Sequence, residues 1–158
     1  NADAEHLLQL LKTSVLVKER IVKEDPHEQG IRRALNLGHT VGHAFESKAL
    51  HDGKPIAHGY AVAWGMVAEM VLSHHILKFP TEDLHRLAEF VYANYGAYHI
   101  TCDHYDELLH LMHHDKKSEH GEINCTLLAA CGDVRPGHTI TDDQMRIALD
   151  LYRDLLHI

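Results

Sequence analysis

The 158 residues carry a formal net charge of −8 with histidines counted as neutral, and are 45% hydrophobic and 24% charged, the balance of a folded chain and not of a disordered one. Lysines and arginines are scattered, so a nucleic-acid partner, which needs grouped cations, is not expected. The cysteines Cys102, Cys125 and Cys131 show no C-x-x-C spacing and suit a reducing cytosol better than a disulfide framework; no apolar run approaches the ~20 residues of a membrane span, so no membrane partner is expected either.

A chain of this length buries roughly 70% of its unfolded surface and is read as one helical domain over residues 1–158. Residues 1–2 read as a cloning remnant. The missing initial Met and the immediate helical pattern are those of a fragment cut at a domain boundary. Leu7, Leu8, Leu11, Val15 and Ile21 predict an amphipathic helix over Asp3–Lys23, closed by "EDPHEQG". "RRALNLGHTVGHAFE", Arg32 to Glu46, reads as the second helix. After the polar loop "ESKALHDGKP" comes "HGYAVAWGMVAEMVLSHHIL", apolar on nearly every side and therefore expected to be buried. A fourth helix is expected with Thr81 as its N-cap and Gly96 just past its end, and a fifth from about Asp103. "EINCTLLAACGDV", followed by "RPG", is the one β-like stretch. Thr141 and Gln144 form a capping box ahead of a last helix. The expected fold is mainly α: a helical bundle with one small β-hairpin or strand element.

The second helix carries two glycines and two histidines, which a plain helix would not favour. At 100° per residue, Arg32, Asn36, His39 and His43 fall at about 0°, 40°, −20° and 20°, a single polar stripe. Leu37, Val41 and Phe45 lie on the opposite face, so the stripe is expected to look into a cleft. Gly38 and Gly42 each cost about 1 kcal/mol relative to alanine in a helix, and are expected to permit close approach of another helix or a ligand. His39 and His43, four residues apart, can converge on one ion or anion. Among the 17 histidines most are surface residues, His74 included. His58 is different, because it opens the apolar helix, where the positive end of the helix dipole favours a neutral, ligand-competent imidazole.

Two further constellations stand out. In "MHHDKK", Met112 to Lys117, adjacent lysines can hold a phosphate as point charges or merely complement a helix C-terminus. The doublets His51-Asp52 and His114-Asp115 raise a helical HD-type metal phosphohydrolase, although "HDGKP" is loop-like in composition where that class places its ligands on helices. A non-catalytic helical interaction module would make the histidines incidental.

These residues together resemble a known family. "RRALNLGHTVGHAFE" is similar to the R-x-x-x-N-[FL]-G-H-[TS]-x-G-H-A-x-E signature of the 3-dehydroquinate synthases. "VKERIVKEDPHEQGIR" looks like their lysine segment leading into D-E-x-E-x-G-x-R, with Pro26 and His27 departing from it. "HGYAVAWGM" is similar to H-G-E-A-V-A-x-G-M, with Tyr60 in place of Glu, and "MHHDKKSEHGEINCTLL" to M-x-x-D-K-K followed by a strand. The resemblance runs from about Lys12 to the end and covers the helical C-terminal half of the family's architecture.

Carried over residue by residue, it implies that His39 and His58 are metal ligands, with the family's third, glutamate ligand lying upstream of this sequence. It implies that Lys18, Arg32 and Asn36 bind the substrate's carboxylate and hydroxyls, that His43 with Lys116 or Lys117 contacts its phosphate, and that Glu28 lies near the substrate. His43, Lys18 and Glu28 are the implied catalytic groups. The implied cofactors are zinc or another divalent metal, held weakly by this chain, and NAD, bound by a domain absent from it. The implied reaction converts 3-deoxy-D-arabino-heptulosonate 7-phosphate into 3-dehydroquinate and phosphate in the shikimate pathway, in a cytoplasmic homodimer, with this chain alone inactive. Related sugar-phosphate cyclases lack the substrate carboxylate that Arg32 would pair.

Overall fold

The computed structural model describes residues 2–116, 118 and 120–158. The sequence reads as one helical domain; in the structure, the contacts divide it into two units, Asn1–Leu35 and Asn36–Ile158.

The first unit is built on a long helix, α1 (Ala2–Glu24), as its apolar spacing predicts. Leu7, Leu8, Leu11 and Val15 on that helix are exposed. The chain then turns around Asp25, whose carboxylate gathers three backbone amides: Oδ1 accepts from Gln29 at 3.0 Å, and Oδ2 from Gly30 at 2.7 Å and Arg32 at 3.1 Å. These amide bonds, first that of Gln29, hold the Asp25 carboxyl below its ordinary range. The turn is tightened by Arg32 Nη1 donating to Pro26 O at 2.8 Å and by Arg33 Nε donating to Glu28 O at 3.2 Å. A six-residue 3-10 helix, Ile31–Asn36, follows.

The second unit is a bundle around α3 (His58–Leu77), with ten of its twenty residues buried. A helix apolar on all sides is stable only when covered on all sides, and α3 is packed by α2 (His39–His51), α4 (Thr81–Tyr95), α6 (Asp142–Leu155) and strand β1 (Ile123–Ala130). α5 (Tyr105–His113), entered through a short 3-10 turn at Cys102–His104, packs on α2. β1 pairs antiparallel with β2 (Asp133–Ile140), with register shifts between Cys125 and Leu127 and between Leu128 and Ala130. Val41, Phe45, Val67, Leu108, Leu127, Met145 and Leu149 are among the fully buried core residues. Tyr152 is buried with them: its hydroxyl donates to Tyr98 O at 2.9 Å and accepts from Tyr98 N at 3.1 Å.

The mainly helical class with one hairpin is as expected. Three local readings are corrected. The N-cap of α4 is Pro80, with Thr81 inside the helix and no side-chain cap, since Pro supplies a fixed φ suited to helix entry. The "RPG" stretch does not end the β element but runs within β2, where a two-stranded sheet leaves every strand an open edge that tolerates Pro136. The third correction concerns the second helix. Arg32 and Asn36 lie in the 3-10 turn, the chain breaks at Gly38 with φ 78°, and α2 starts only at His39. The continuous stripe of four polar residues therefore does not exist; its His39–His43 half does.

The break has a packing cause. A Cβ on Gly38 would lie 2.5 Å from Met66 Cγ and 2.8 Å from Val62 O, one on Gly42 would lie 3.0 Å from Ala61 O, and one on Gly65 would lie 2.2 Å from Gly38 O. α2 and α3 thus cross backbone against backbone through Gly38, Gly42 and Gly65. The close approach expected from the glycines is made to another helix, and it brings the start of α2 to the start of α3.

Candidate metal centre

At that crossing three imidazoles meet. The ring centroids of His39 and His43 are 5.4 Å apart, those of His39 and His58 5.3 Å, and those of His43 and His58 5.9 Å. Imidazoles bound tetrahedrally to one ion at about 2.1 Å from nitrogen have centroids roughly 5 Å apart, a spacing these rings approach. Glu46 joins them: one donor atom each of His43, Glu46 and His58 lie within 4.8 Å of one another.

The rings are held by their far nitrogens. His39 Nδ1 lies 3.0 Å from Leu37 O, and His58 Nδ1 lies 2.7 Å from Glu46 Oε1. A carbonyl and a carboxylate oxygen only accept, so in each neutral ring the proton is on Nδ1 and the lone pair on Nε2. Orientation of ligating histidines by a carbonyl or carboxylate on the second nitrogen is the usual support of a metal site. His43 Nδ1 faces Asp115 Oδ2 at a longer 3.4 Å. The set of imidazole nitrogens with a carboxylate fits zinc and similar divalent ions.

Of the residues expected to act, His39, His43 and His58 come together. His58 is the first residue of α3, as expected. Asn36 closes the 3-10 turn, and Lys18, Glu28 and Arg32 belong to the first unit, Lys18 exposed on α1 and Glu28 in the left-handed region at φ 55°. Lys116 is exposed and follows directly on Asp115, the residue facing His43; Lys117 lies outside the described residues. His74, read as a surface residue, is half-buried, with its Nδ1 2.8 Å from Phe79 O at the end of α3.

Two participants went unassigned. Glu46 stands seven residues after His39, about 20° away on the helix, so the same 100° rule that pairs the histidines contains it. Asp115 is the aspartate of the D-K-K element and of the His114-Asp115 doublet, and in the structure it faces His43.

The profile of the family described as 3-dehydroquinate synthase C-terminal matches residues 1–118. The chain belongs to that family. It is 50% identical over 149 residues to a 3-dehydroquinate synthase of Parabacteroides distasonis, a match covering 94% of this chain and 42% of that protein. Against a 3-dehydroquinate synthase of Methylacidiphilum infernorum the identity is 41% over 127 residues, covering 80% and 35%. The chain thus spans about two fifths of the relatives it matches. Among solved structures, 2-epi-5-epi-valiolone synthase from Streptomyces hygroscopicus, with NAD+ and Zn2+ bound, shares the fold at a TM-score of 0.76 and 22% identity over 93% of this chain and 40% of its own. 2-Deoxy-scyllo-inosose synthase, complexed with carbaglucose-6-phosphate, NAD+ and Co2+, does so at 0.72 and 20% over 92% and 41%. Within this 3-dehydroquinate synthase C-terminal domain, Tyr60, two residues past His58, is exposed with its ring 5.8 Å from Trp64 and 5.1 Å from Tyr95.

Proposed function

We propose that this chain is the metal- and substrate-binding part of a 3-dehydroquinate synthase, converting 3-deoxy-D-arabino-heptulosonate 7-phosphate into 3-dehydroquinate and phosphate within the shikimate pathway. The observation that carries the reading is the convergence of His39, His43 and His58, two of them with Nδ1 tied to an oxygen acceptor. His39 and His58 are the histidine ligands, and Glu46 holds the second of them in its ligating tautomer. A divalent metal there supplies Lewis acidity to a substrate hydroxyl and the carbonyl derived from it. Hydride chemistry is that of NAD, for which the described residues offer only a two-stranded antiparallel sheet and no strand–helix dinucleotide site.

The remaining residues bind and orient. His43 contacts the substrate phosphate; the proton on Nδ1 is directed at Asp115, which turns Nε2 toward the ligand, and Lys116 follows Asp115 in sequence. Either Lys116 or Lys117 adds a point charge to the phosphate. Arg32 matches a carboxylate with its planar fork, while Lys18 and Asn36 serve the substrate's carboxylate and hydroxyls and Glu28 lies near it. The same reading places the whole enzyme in the cytosol as a homodimer acting on a small phosphorylated sugar acid, without nucleic acid or membrane as partner.

Zinc calorimetry on the chain and its H39A, H58A and H74A variants tests the reading. One weak site is expected, abolished in H39A and H58A and intact in H74A. Affinity should fall on acidification, since both ligands bind as neutral rings. Equal loss in all three variants means that zinc is collected by a histidine-rich surface, and the reading fails.

A further inference from the structure

α2 starts without a side-chain cap. Its N-cap residue, Gly38, has none to offer and is buried, as is Val41 in the first turn. The first amides of a helix have no partner within it, and here water is excluded. The acceptor comes instead from α3. Glu69 is wholly inaccessible, its Oε2 accepts from Val41 N at 3.4 Å, and the Gly38 amide also bonds to its carboxyl. Oε1 has no regular hydrogen-bond partner; the Cys125 thiol lies beside it, and Asp115 is the charged group nearest in influence. No cation among these neighbours offsets the burial.

A buried polar group of this kind is costly, and an apolar residue of like volume often serves a core as well or better. The carboxyl therefore needs a local reason, and the backbone amides it bonds are those at the start of α2. That turn begins with His39, and His43 lies one turn further on.

We propose that Glu69 is a positioning residue for the metal centre: from inside the core it caps α2 and so fixes the direction in which His39 and His43 leave the helix. The inference rests on reading the three-histidine cluster as a metal site, but its geometric part can be measured without metal. Gln at position 69 keeps the acceptor oxygen; Met fills the space and offers none.

Two readouts decide it: nuclear Overhauser contacts among the His39, His43 and His58 rings in the metal-free chain, and the affinity and visible absorption band of bound Co2+. E69Q should match the unmutated chain in both. E69M should lose the ring contacts and bind Co2+ at least tenfold more weakly with an altered band, while unfolding as cooperatively as before. Unchanged ring contacts and Co2+ binding in E69M would overturn the proposal. Should E69M fail to fold, E69D, with its carboxyl drawn back by one methylene, must show the same losses together with faster amide exchange at Gly38 and Val41; ring contacts unchanged in E69D overturn it equally. If the unmutated chain binds no Co2+ specifically but its ring contacts respond as stated, the metal reading falls and the positioning role stands.

Discussion

His58 Nδ1 and Glu46 Oε1 lie 2.7 Å apart across the α2–α3 connection, so a residue of one helix fixes the tautomer of a ligand on the other. Removing such a support typically weakens a metal site 10–100-fold. E46A is expected to lower zinc affinity by about that factor, with E46Q, which keeps an acceptor oxygen, in between. Calorimetry at constant pH checks it; an E46A site of unchanged affinity would remove Glu46 from the centre.

The helix crossing makes a second expectation. An alanine Cβ at position 65 would press on Gly38 O and on Gly42 N, 2.2 Å and 2.6 Å away, and backbone cannot turn aside as a side chain can. Gly65→Ala should cost about 1–3 kcal/mol or more of stability by overpacking and part His58 from His39 and His43. Denaturant unfolding and Co2+ titration measure the two effects, which should appear together. Gly53→Ala, with open space around it but φ 72°, should cost stability without touching the metal.

Burial pushes the Glu69 carboxyl up to about 8. Between the ordinary carboxylate range and that value the folded chain holds a proton that the unfolded chain releases, so stability is fullest at low pH and falls as pH rises toward 8. The loss attributable to Glu69 is on the order of 3–5 kcal/mol over that interval. The neighbouring Cys125 thiol, itself pushed up by burial, stays neutral throughout. Unfolding free energies measured from pH 5 to pH 8 should show this slope in the unmutated chain and a flatter one in E69Q.

His113 acts in the same direction at the far end of α5. Its Nδ1 lies 2.6 Å from Gly121 O and its Nε2 2.7 Å from Asp142 Oδ1, so both ring nitrogens face acceptors, the Gly121 carbonyl first and then the Asp142 carboxylate, and the pKa is raised above the ordinary histidine value. The charged ring's contribution is fully present below about 6.5 and lost as pH rises through the raised value. For a partly exposed ring this amounts to roughly 0.2–1 kcal/mol. The stability gap between the unmutated chain and H113A should therefore be larger at pH 5.5 than at pH 8.5.

The chain supplied with heptulosonate phosphate, NAD and zinc is expected to release phosphate only at background, because hydride chemistry calls for a dinucleotide site and the described residues form only a two-stranded antiparallel sheet. A continuous phosphate assay checks it, and clear turnover would mean that these residues suffice.

The elements that could be read in the sequence are those whose signals are local. The spacing of α1, the apolar character of α3, the capping box at Thr141 and Gln144 and the pairing of His39 with His43 all depend on neighbours within a few residues. What escaped depends on distant contacts. The break at Gly38 follows from Val62 and Met66 on another helix, and without it Arg32 and Asn36 fall on the same helical stripe as the histidines. Glu69 has no local signal of its role, which depends on the amides of α2 from which its carboxyl accepts. Asp25 matches the first aspartate of the D-E-x-E-x-G-x-R stretch, but only the folded turn shows three amides on its carboxylate. Glu46 was within reach, since its angle on α2 is that of the histidines, but its partner is on α3.

Side-chain interfaces between helices slide a little when a methyl group is added or removed, because rotamers absorb the change. The seam through Gly38, Gly42 and Gly65 has no rotamers. The distance from His39 and His43 to His58 is consequently set by peptide planes in contact, and variation in the rest of the core, at Leu108, Met145 or Leu149, can be accommodated without being passed to the rings. Substitutions at those packing residues should leave the ligand spacing in place, whereas a side chain at any of the three glycines would reach it directly.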